Sequence, residues 1–437
     1  MEGCHPARDP GSLPRAVTEE SPVPVVSVCS PLALRRVLAL LSLLVAVVVA
    51  AAGVVAAAPV PAAQVSRTLG AVVPAGALSM LPWPASATGV MIVQGVGTLG
   101  AVQADKQVPI ASVAKVMTAL VVLADHPLAI GEQGPSLTLT RADEVDYLAR
   151  VPTGQSLLRV QAGERLSERQ ALEALLLPSA DNIADVLARW DGGRAAFLTR
   201  MNRTARKAGA LSTRYTDPSG LDPSTVSTAA DQVRIAALVL ALPPLMTITA
   251  ERSAVLPVAG RVMNYNHLLG GPNDVFGLKT GSTSAAGGCL VFLAHLKVGS
   301  RQATVIGALL HVGQGKAPLT ALADALQAAS ALLRASAVRA LPILPPGEVI
   351  GAVSSAWGAN ARVLTADPPI AVVLPGNTEH VTGNLRCHHP WKTRQGCGNI
   401  RVTTGDALSG TTTYTVPTML EQSLRGPGLG WRATHAF

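Results

Sequence analysis

The chain has 437 residues, 49% of them hydrophobic, 14% charged and only 3% aromatic, with a formal net charge of +8. That apolar content excludes a disordered protein and leaves room for one full-sized domain plus a smaller one. The scarcity of aromatics, with no basic run interleaved among them, argues against a nucleic-acid partner.

Residues 1–36 carry four Arg and four acids and read as a cytoplasmic tail, so the excess positive charge belongs to the residues beyond position 36. The run from Val37 to Ala63 has no charged residue and directly follows Arg35 and Arg36, the pattern of a segment entering a membrane with its basic flank inside. It reads as a transmembrane anchor or a signal segment, since "AAAPVPAA" offers small residues for cleavage. Everything from about Gln64 onward is therefore expected on the extracytoplasmic face, membrane-anchored or released to the wall. A basic protein there meets anionic polymers and lipid headgroups.

Residues 64–86, rich in Ala, Pro and Ser, read as a linker, and 87–336 as the main domain. "GVMIV" and "LGAVQA" predict two strands joined through "QGVGT". The literal GxGxxG at Gly95, Gly97 and Gly100 is set aside, because a hairpin rather than a strand-to-helix turn accompanies it. A helix is expected from about Ser112 to Ala124, with Val113, Val116, Met117 and Leu120 at burial spacing. "SERQALEALLLPSADNIADVLARW" predicts two helical pieces broken near Pro178, and further helices follow in "FLTRMNRTARKAGA" and "AADQVRIAALVLAL". "FGLKTG", "GGCLVFLAHLKV" and "QATVIGALLHV" predict three antiparallel strands, closed by a helix in "APLTALADALQAASALLRA". Two early strands, a helical centre and three late strands imply an α/β fold whose sheet brings the ends of the domain together. Residues 337–437 read as a small C-terminal β region.

Of the five cysteines, Cys4 and Cys29 precede the membrane run and are expected to stay reduced. Cys387 and Cys397 bracket "CHHPWKTRQGC", where a disulfide loop is favoured over a metal site at His388 and His389 because no CxxC spacing is present. Cys289 sits in an apolar strand and reads as a small buried side chain.

The chemistry-bearing residues occur as a set. Ser112 and Lys115 are three apart, hence on one helix face, with Ser112 near the helix N-terminus, where free N–H groups and the dipole favour a developing oxyanion. The chain has only seven lysines, and one lies inside this apolar helix. A desolvated lysine can lose its proton, which arginine effectively cannot. Such an amine beside a hydroxyl makes a nucleophile. "PSADN" places Ser179 and Asp181 in a loop 67 residues on, and "LKTGS" places Lys279, Thr280, Gly281 and Ser282 on a strand 100 residues beyond Ser179.

The three motifs in this order, together with "YTDPSGLDPSTVSTAAD" and "NYNHLL", resemble the serine D-alanyl-D-alanine carboxypeptidases, the low-molecular-mass penicillin-binding proteins, over about residues 85–335. The resemblance implies a serine β-lactamase/transpeptidase-like fold, an antiparallel sheet flanked by helices with a helical subdomain. It implies that Ser112 is acylated by a peptidoglycan stem peptide ending in D-Ala-D-Ala, with Lys115 as base and Ser179 as proton shuttle. Lys279 and Thr280 would then hold the substrate carboxylate, with Gly281 leaving room for its backbone and the N–H of Ser282 joining that of Ser112 as oxyanion donors. No cofactor or metal is implied, and β-lactams would be covalent inhibitors. The chain departs from the family pattern at Asp181, where Asn is usual. A carboxylate there favours charged lysines, unless Asn182 turns in and supplies the amide. The competing readings are a class A β-lactamase, for which no Glu-x-x-Leu-Asn context is found, and a non-catalytic wall scaffold.

Overall fold

The computed structural model describes residues 31–74, 80–336 and 338–435; Cys4, Cys29 and the tail before residue 31 lie outside them. The chain divides into two units, one of residues 1–62 with 426–437 and one of residues 63–425.

In the first unit a helix runs over Pro31–Ala57, and its stretch Leu32–Ala57 is long and apolar enough to cross a membrane. It starts earlier and ends earlier than the uncharged run. Pro59 and Pro61 have no N–H to continue the ladder and disfavour helical backbone before them, so the last six residues of that run are excluded. Arg432, on the short helix Leu429–His435, donates to the exposed carbonyl of Ala56 at 2.6 Å, satisfying one group that a helix end leaves open.

The second unit is built on a five-stranded antiparallel sheet of β1 (Thr88–Val93), β2 (Gly97–Val102), β3 (Val275–Thr283), β4 (Gly287–Val298) and β5 (Arg301–Val312), ordered β3-β4-β5-β1-β2. The early hairpin adds to the late meander through β1 against β5, as the order of predicted strands implied. Both faces are covered. In β1, Val90 and Ile92 join the core beneath the helices, while Met91 and Val93 join a second core under α4 (Pro318–Ala335). A strand buried on both sides reads as a continuous apolar run.

Between β2 and β3 lie the helices, chief among them α1 (Lys115–Asp125), α2 (Glu168–Leu176) and α3 (Asp181–Trp190). Every α1 residue from Lys115 to Leu123 is buried, so it is a central helix and not an amphipathic surface one. The break between α2 and α3 falls at Leu177–Ala180, around Pro178.

The residues read as a linker differ from that expectation. Gln64–Arg67 pairs with Val349–Ser354, and Ala71–Val72 pairs with Glu379–Thr382, at opposite edges of a seven-stranded sheet otherwise made from residues 349–420. Only three residues separate these two strands, and three or four peptide units reach about 13 Å at most, so the sheet curls until its edges nearly meet. Strands of four and two residues carry no periodicity for a sequence reading to detect. Cys387 and Cys397 are joined by a disulfide within this region, and Cys289 is wholly buried in β4.

Candidate active site

The turn that carries Ser112 is set by backbone. Pro109 pairs with Val226, Ile110 donates to the Thr225 carbonyl, and Ala111 takes a left-handed φ of +46°, so the chain turns sharply into a 3-10 segment, Ala111–Ala114, that leads into α1. Ser112 sits on this turn, half-buried, and its N–H has no acceptor among the described residues. Ser112 is therefore placed one turn ahead of α1, not within it.

Lys115, wholly buried, donates to three acceptors: Ser112 Oγ at 2.7 Å, Asp181 Oδ1 at 2.6 Å and the Ser219 carbonyl at 3.0 Å. Three acceptors match the three N–H bonds of an ammonium. On the other side of the cleft, Lys279 donates to Ser179 Oγ at 3.0 Å and to the Thr280 carbonyl at 2.8 Å. Burial pushes the Lys279 amine well below its ordinary range; the nearby Lys115 charge adds to this and Asp181 opposes it. Ser179 itself holds a left-handed φ of +66°, uncommon for a residue with a side chain, in the turn between α2 and α3.

β3 is an edge strand, so one side of its backbone is free beside the Ser112 turn. Lys279 and Thr280 are buried, and Ser282 is partly exposed further along. A Cβ added at Gly281 would lie 2.8 Å from Ser112 N, 3.0 Å from Val113 N and 3.2 Å from Ala111 Cβ. The missing side chain thus faces the Ser112 turn, and the glycine serves close contact between β3 and that turn.

Asn182 does not enter the site. Its Oδ1 accepts from Leu158 N at 3.0 Å and its Nδ2 donates to Leu158 O at 2.9 Å. Successive helix positions point about 100° apart, so once Asp181 at the start of α3 faces Lys115, Asn182 faces the 158 segment. The expectation that Asn182 supplies an amide to the site is therefore corrected: Asp181 faces the lysine alone.

The sequence reading quoted the stretch that carries the Ser219 carbonyl for its resemblance but gave none of its residues a role at the site. Asp217 accepts from Ser219 Oγ at 2.6 Å, Leu221 N at 2.9 Å and Thr225 Oγ1 at 2.5 Å, while Thr118 on α1 donates to the Pro218 carbonyl at 2.6 Å. Gly220, at φ +81°, packs so closely on the Ala111 carbonyl that no side chain fits. The Asp-Pro-Ser-Gly string was the available signal, since an Asp side chain bonding backbone a few residues on is the chemistry of a fixed turn.

The arrangement is a serine hydroxyl held by a buried amine, a second serine held by a second buried amine, and a free strand edge between them. It can transfer an acyl group to Ser112 and move protons on both sides of the cleft. Among the described residues no cluster suited to a metal ion is present.

The profile of the D-alanyl-D-alanine carboxypeptidase family matches residues 85–309. A D-alanyl-D-alanine carboxypeptidase of Streptomyces sp. (strain K15) is 30% identical over 274 residues, covering 57% of this chain and 91% of that protein. A D-alanyl-D-alanine carboxypeptidase of Mycobacterium tuberculosis is 37% identical over 184 residues, covering 41% of this chain and 59% of the relative. A D-alanyl-D-alanine endopeptidase of Pseudomonas aeruginosa is 35% identical over 198 residues, covering 43% and 59%. The chain thus spans about three fifths of the length of these last two relatives. Among solved structures, the Streptomyces K15 DD-transpeptidase superposes with a TM-score of 0.50 at 28% identity, covering 58% of this chain and 99% of that one.

Proposed function

The chain belongs to the D-alanyl-D-alanine carboxypeptidase family, and on that premise we propose that it removes the terminal D-Ala from peptidoglycan stem peptides through an acyl-enzyme on Ser112. The observation that carries this reading is the 2.7 Å contact of Lys115 Nζ with Ser112 Oγ at a fully buried lysine. In its neutral form Lys115 takes the Ser112 proton as Oγ attacks the penultimate D-Ala carbonyl. The oxyanion forms against the N–H groups of Ser112 and Ser282. Ser179 hands its proton to the departing D-Ala nitrogen as the C–N bond breaks and regains the one that Lys115 took from Ser112; water then gives a proton to Lys115 as it attacks the ester carbonyl, and Ser112 leaves with that proton returned to it. Thr280 donates to the substrate's terminal carboxylate, and the arrival of that carboxylate favours the charged form of Lys279 that burial disfavours in the free site. The Pro31–Ala57 helix holds or delivers this domain on the outer face of the membrane. β-Lactams acylate the same serine.

Intact-mass spectrometry after exposure to benzylpenicillin, beside Ser112→Ala, tests the reading. A lasting adduct absent from the variant is the expected result, and fast penicillin consumption with no adduct would indicate a β-lactamase instead. The scaffold reading draws on one observation, the Asp181 carboxylate 2.6 Å from the lysine that must act as base. No adduct and no turnover would favour it.

A further inference from the structure

A cavity of about 630 Å³ lies where the five-stranded sheet meets the curled C-terminal sheet. Its walls are the β1–β2 turn at Gln94–Val96, the start of β5 at Arg301–Thr304, and the hairpin between strands Gly396–Asp406 and Gly410–Leu420. It is separate from the Ser112 cleft. Lys279 is in register with Val291 and Ala308, and Arg301 precedes Ala308 by seven residues, roughly 23 Å along the strand.

The cavity is held in shape by backbone and buried hydroxyl contacts. Gln94 N donates to Thr304 O at 2.9 Å, Gly95 N to Ser409 O at 2.8 Å, and Thr404 Oγ1 to Gly95 O at 2.7 Å. Such a site loses little on ordering when a ligand enters. Its volume falls in the range of small-ligand sites.

The lining has a consistent chemistry. Arg301 has no acidic partner among the described residues, and no carboxylate lines the cavity. The side chains of Gln94, Thr304, Thr411, Thr412 and Tyr414 make no hydrogen bond among the described residues, while Val96 and Val372 add apolar surface. Burial raises the Tyr414 phenol, Arg301 lowers it and Glu379 raises it again, which puts all three within electrostatic reach. Glu379 is itself wholly buried with both carboxylate oxygens unpartnered, and burial lifts it to about 7. In its neutral form it leaves the Arg301 charge uncancelled.

An unpaired guanidinium, uncommitted hydroxyls and an amide beside small apolar patches suit a sugar that bears a carboxylate. We propose that this cavity binds an acidic glycan: Arg301 meets the carboxylate, Gln94, Thr304 and Tyr414 meet sugar hydroxyls and acetamides, and Val96 and Val372 meet the C–H faces. The choice of a wall glycan rests on the proposed action on stem peptides, which hang from such strands. Holding the strand away from the cleft would raise the local concentration of its peptides at Ser112 without any new contact there.

The test uses the full chain in detergent. The probe is peptide-free strands of alternating N-acetylglucosamine and N-acetylmuramic acid, compared by calorimetry with neutral chitotetraose and with polyglycerol phosphate. The acidic strand should bind best, and Arg301→Gln, at an exposed position, should weaken it about tenfold while benzylpenicillin acylation of Ser112 is unchanged. Equal affinity for the neutral sugar, an unchanged dissociation constant in Arg301→Gln, or preference for polyglycerol phosphate would overturn the proposal. So would the absence of binding at millimolar strand in protein that acylates normally. Failure to acylate alongside retained strand binding would instead overturn only the catalytic reading.

Discussion

Gly281→Ala tests how closely β3 and the Ser112 turn are fitted. The new methyl would start 2.8 Å from Ser112 N and 3.0 Å from Val113 N, about 0.7 Å and 0.5 Å short of an optimal contact near 3.5 Å. Both neighbours are backbone atoms of a turn pinned by Pro109–Val226 pairing and by Gly220, so relief must come from the strand and the turn moving apart. Overpacking of this kind costs about 1–3 kcal/mol of stability. A misplacement approaching 1 Å between a nucleophile and the strand holding its substrate costs up to ~100-fold in rate, about 2.7 kcal/mol of barrier. The expected outcome is a second-order acylation rate with benzylpenicillin lowered by some 30- to 100-fold, measured by stopped-time mass spectrometry, with a melting temperature lower by a few degrees. Acylation within twofold of the parent would refute the reasoning, since it would mean that the turn yields freely or that its spacing from β3 does not govern the reaction.

Asp181→Asn keeps an acceptor for Lys115 but removes the carboxylate that stabilises its charged form. Penicillin acylation at neutral pH should quicken, and a tenfold loss would show that the carboxylate belongs to the proton path. Asn182→Ala should cost roughly 2–4 kcal/mol in denaturant unfolding, because it orphans the N–H and C=O of Leu158; acylation should change far less than in Lys115→Ala, and the reverse ranking would return Asn182 to the site. Glu168 is wholly buried with both oxygens unpartnered, and burial, then Glu132 and Asp191, raise it to about 7. A folded-state value above the unfolded one means that the native state binds the extra proton. Stability should therefore fall as pH rises from about 4.5 to about 7 and level off above, by roughly 3 kcal/mol for this group. Glu168→Gln should flatten that part of the stability-against-pH curve, and an unchanged slope would assign it elsewhere.

The readable parts of the sequence were those whose pattern is local. The helix break at Pro178 and the apolar runs of β1, β4 and β5 follow from residue chemistry within a dozen positions, and they were enough to put the early and late strands in one sheet, though not to order it. The order of the three motifs located Ser112, Lys115, Ser179, Asp181 and Lys279, which the structure brings within hydrogen-bonding reach in two groups. What escaped depends on distant partners. Residues 64–72 became strands because residues 349–354 and 379–382 offered open edges. The facing of Asn182 was decided by helical phase once Asp181 had met Lys115. Gly281 looked like a concession to substrate, but its neighbour is the turn that lies 170 residues earlier in the chain.

The pairing of β1 with β5 also sets an order of events during synthesis. The β1 strand is buried along its whole length in the finished sheet, yet its partner is made more than 200 residues later. Until β5 appears, this apolar hairpin has nothing to close on, and long-range pairing of that kind is slow. Ser112 emerges just after the hairpin, while Lys279 and the strand edge beside it are made more than 150 residues later. A growing chain therefore carries Ser112 without the rest of the cleft. Lys279 can join Ser179 only once that strand has been made.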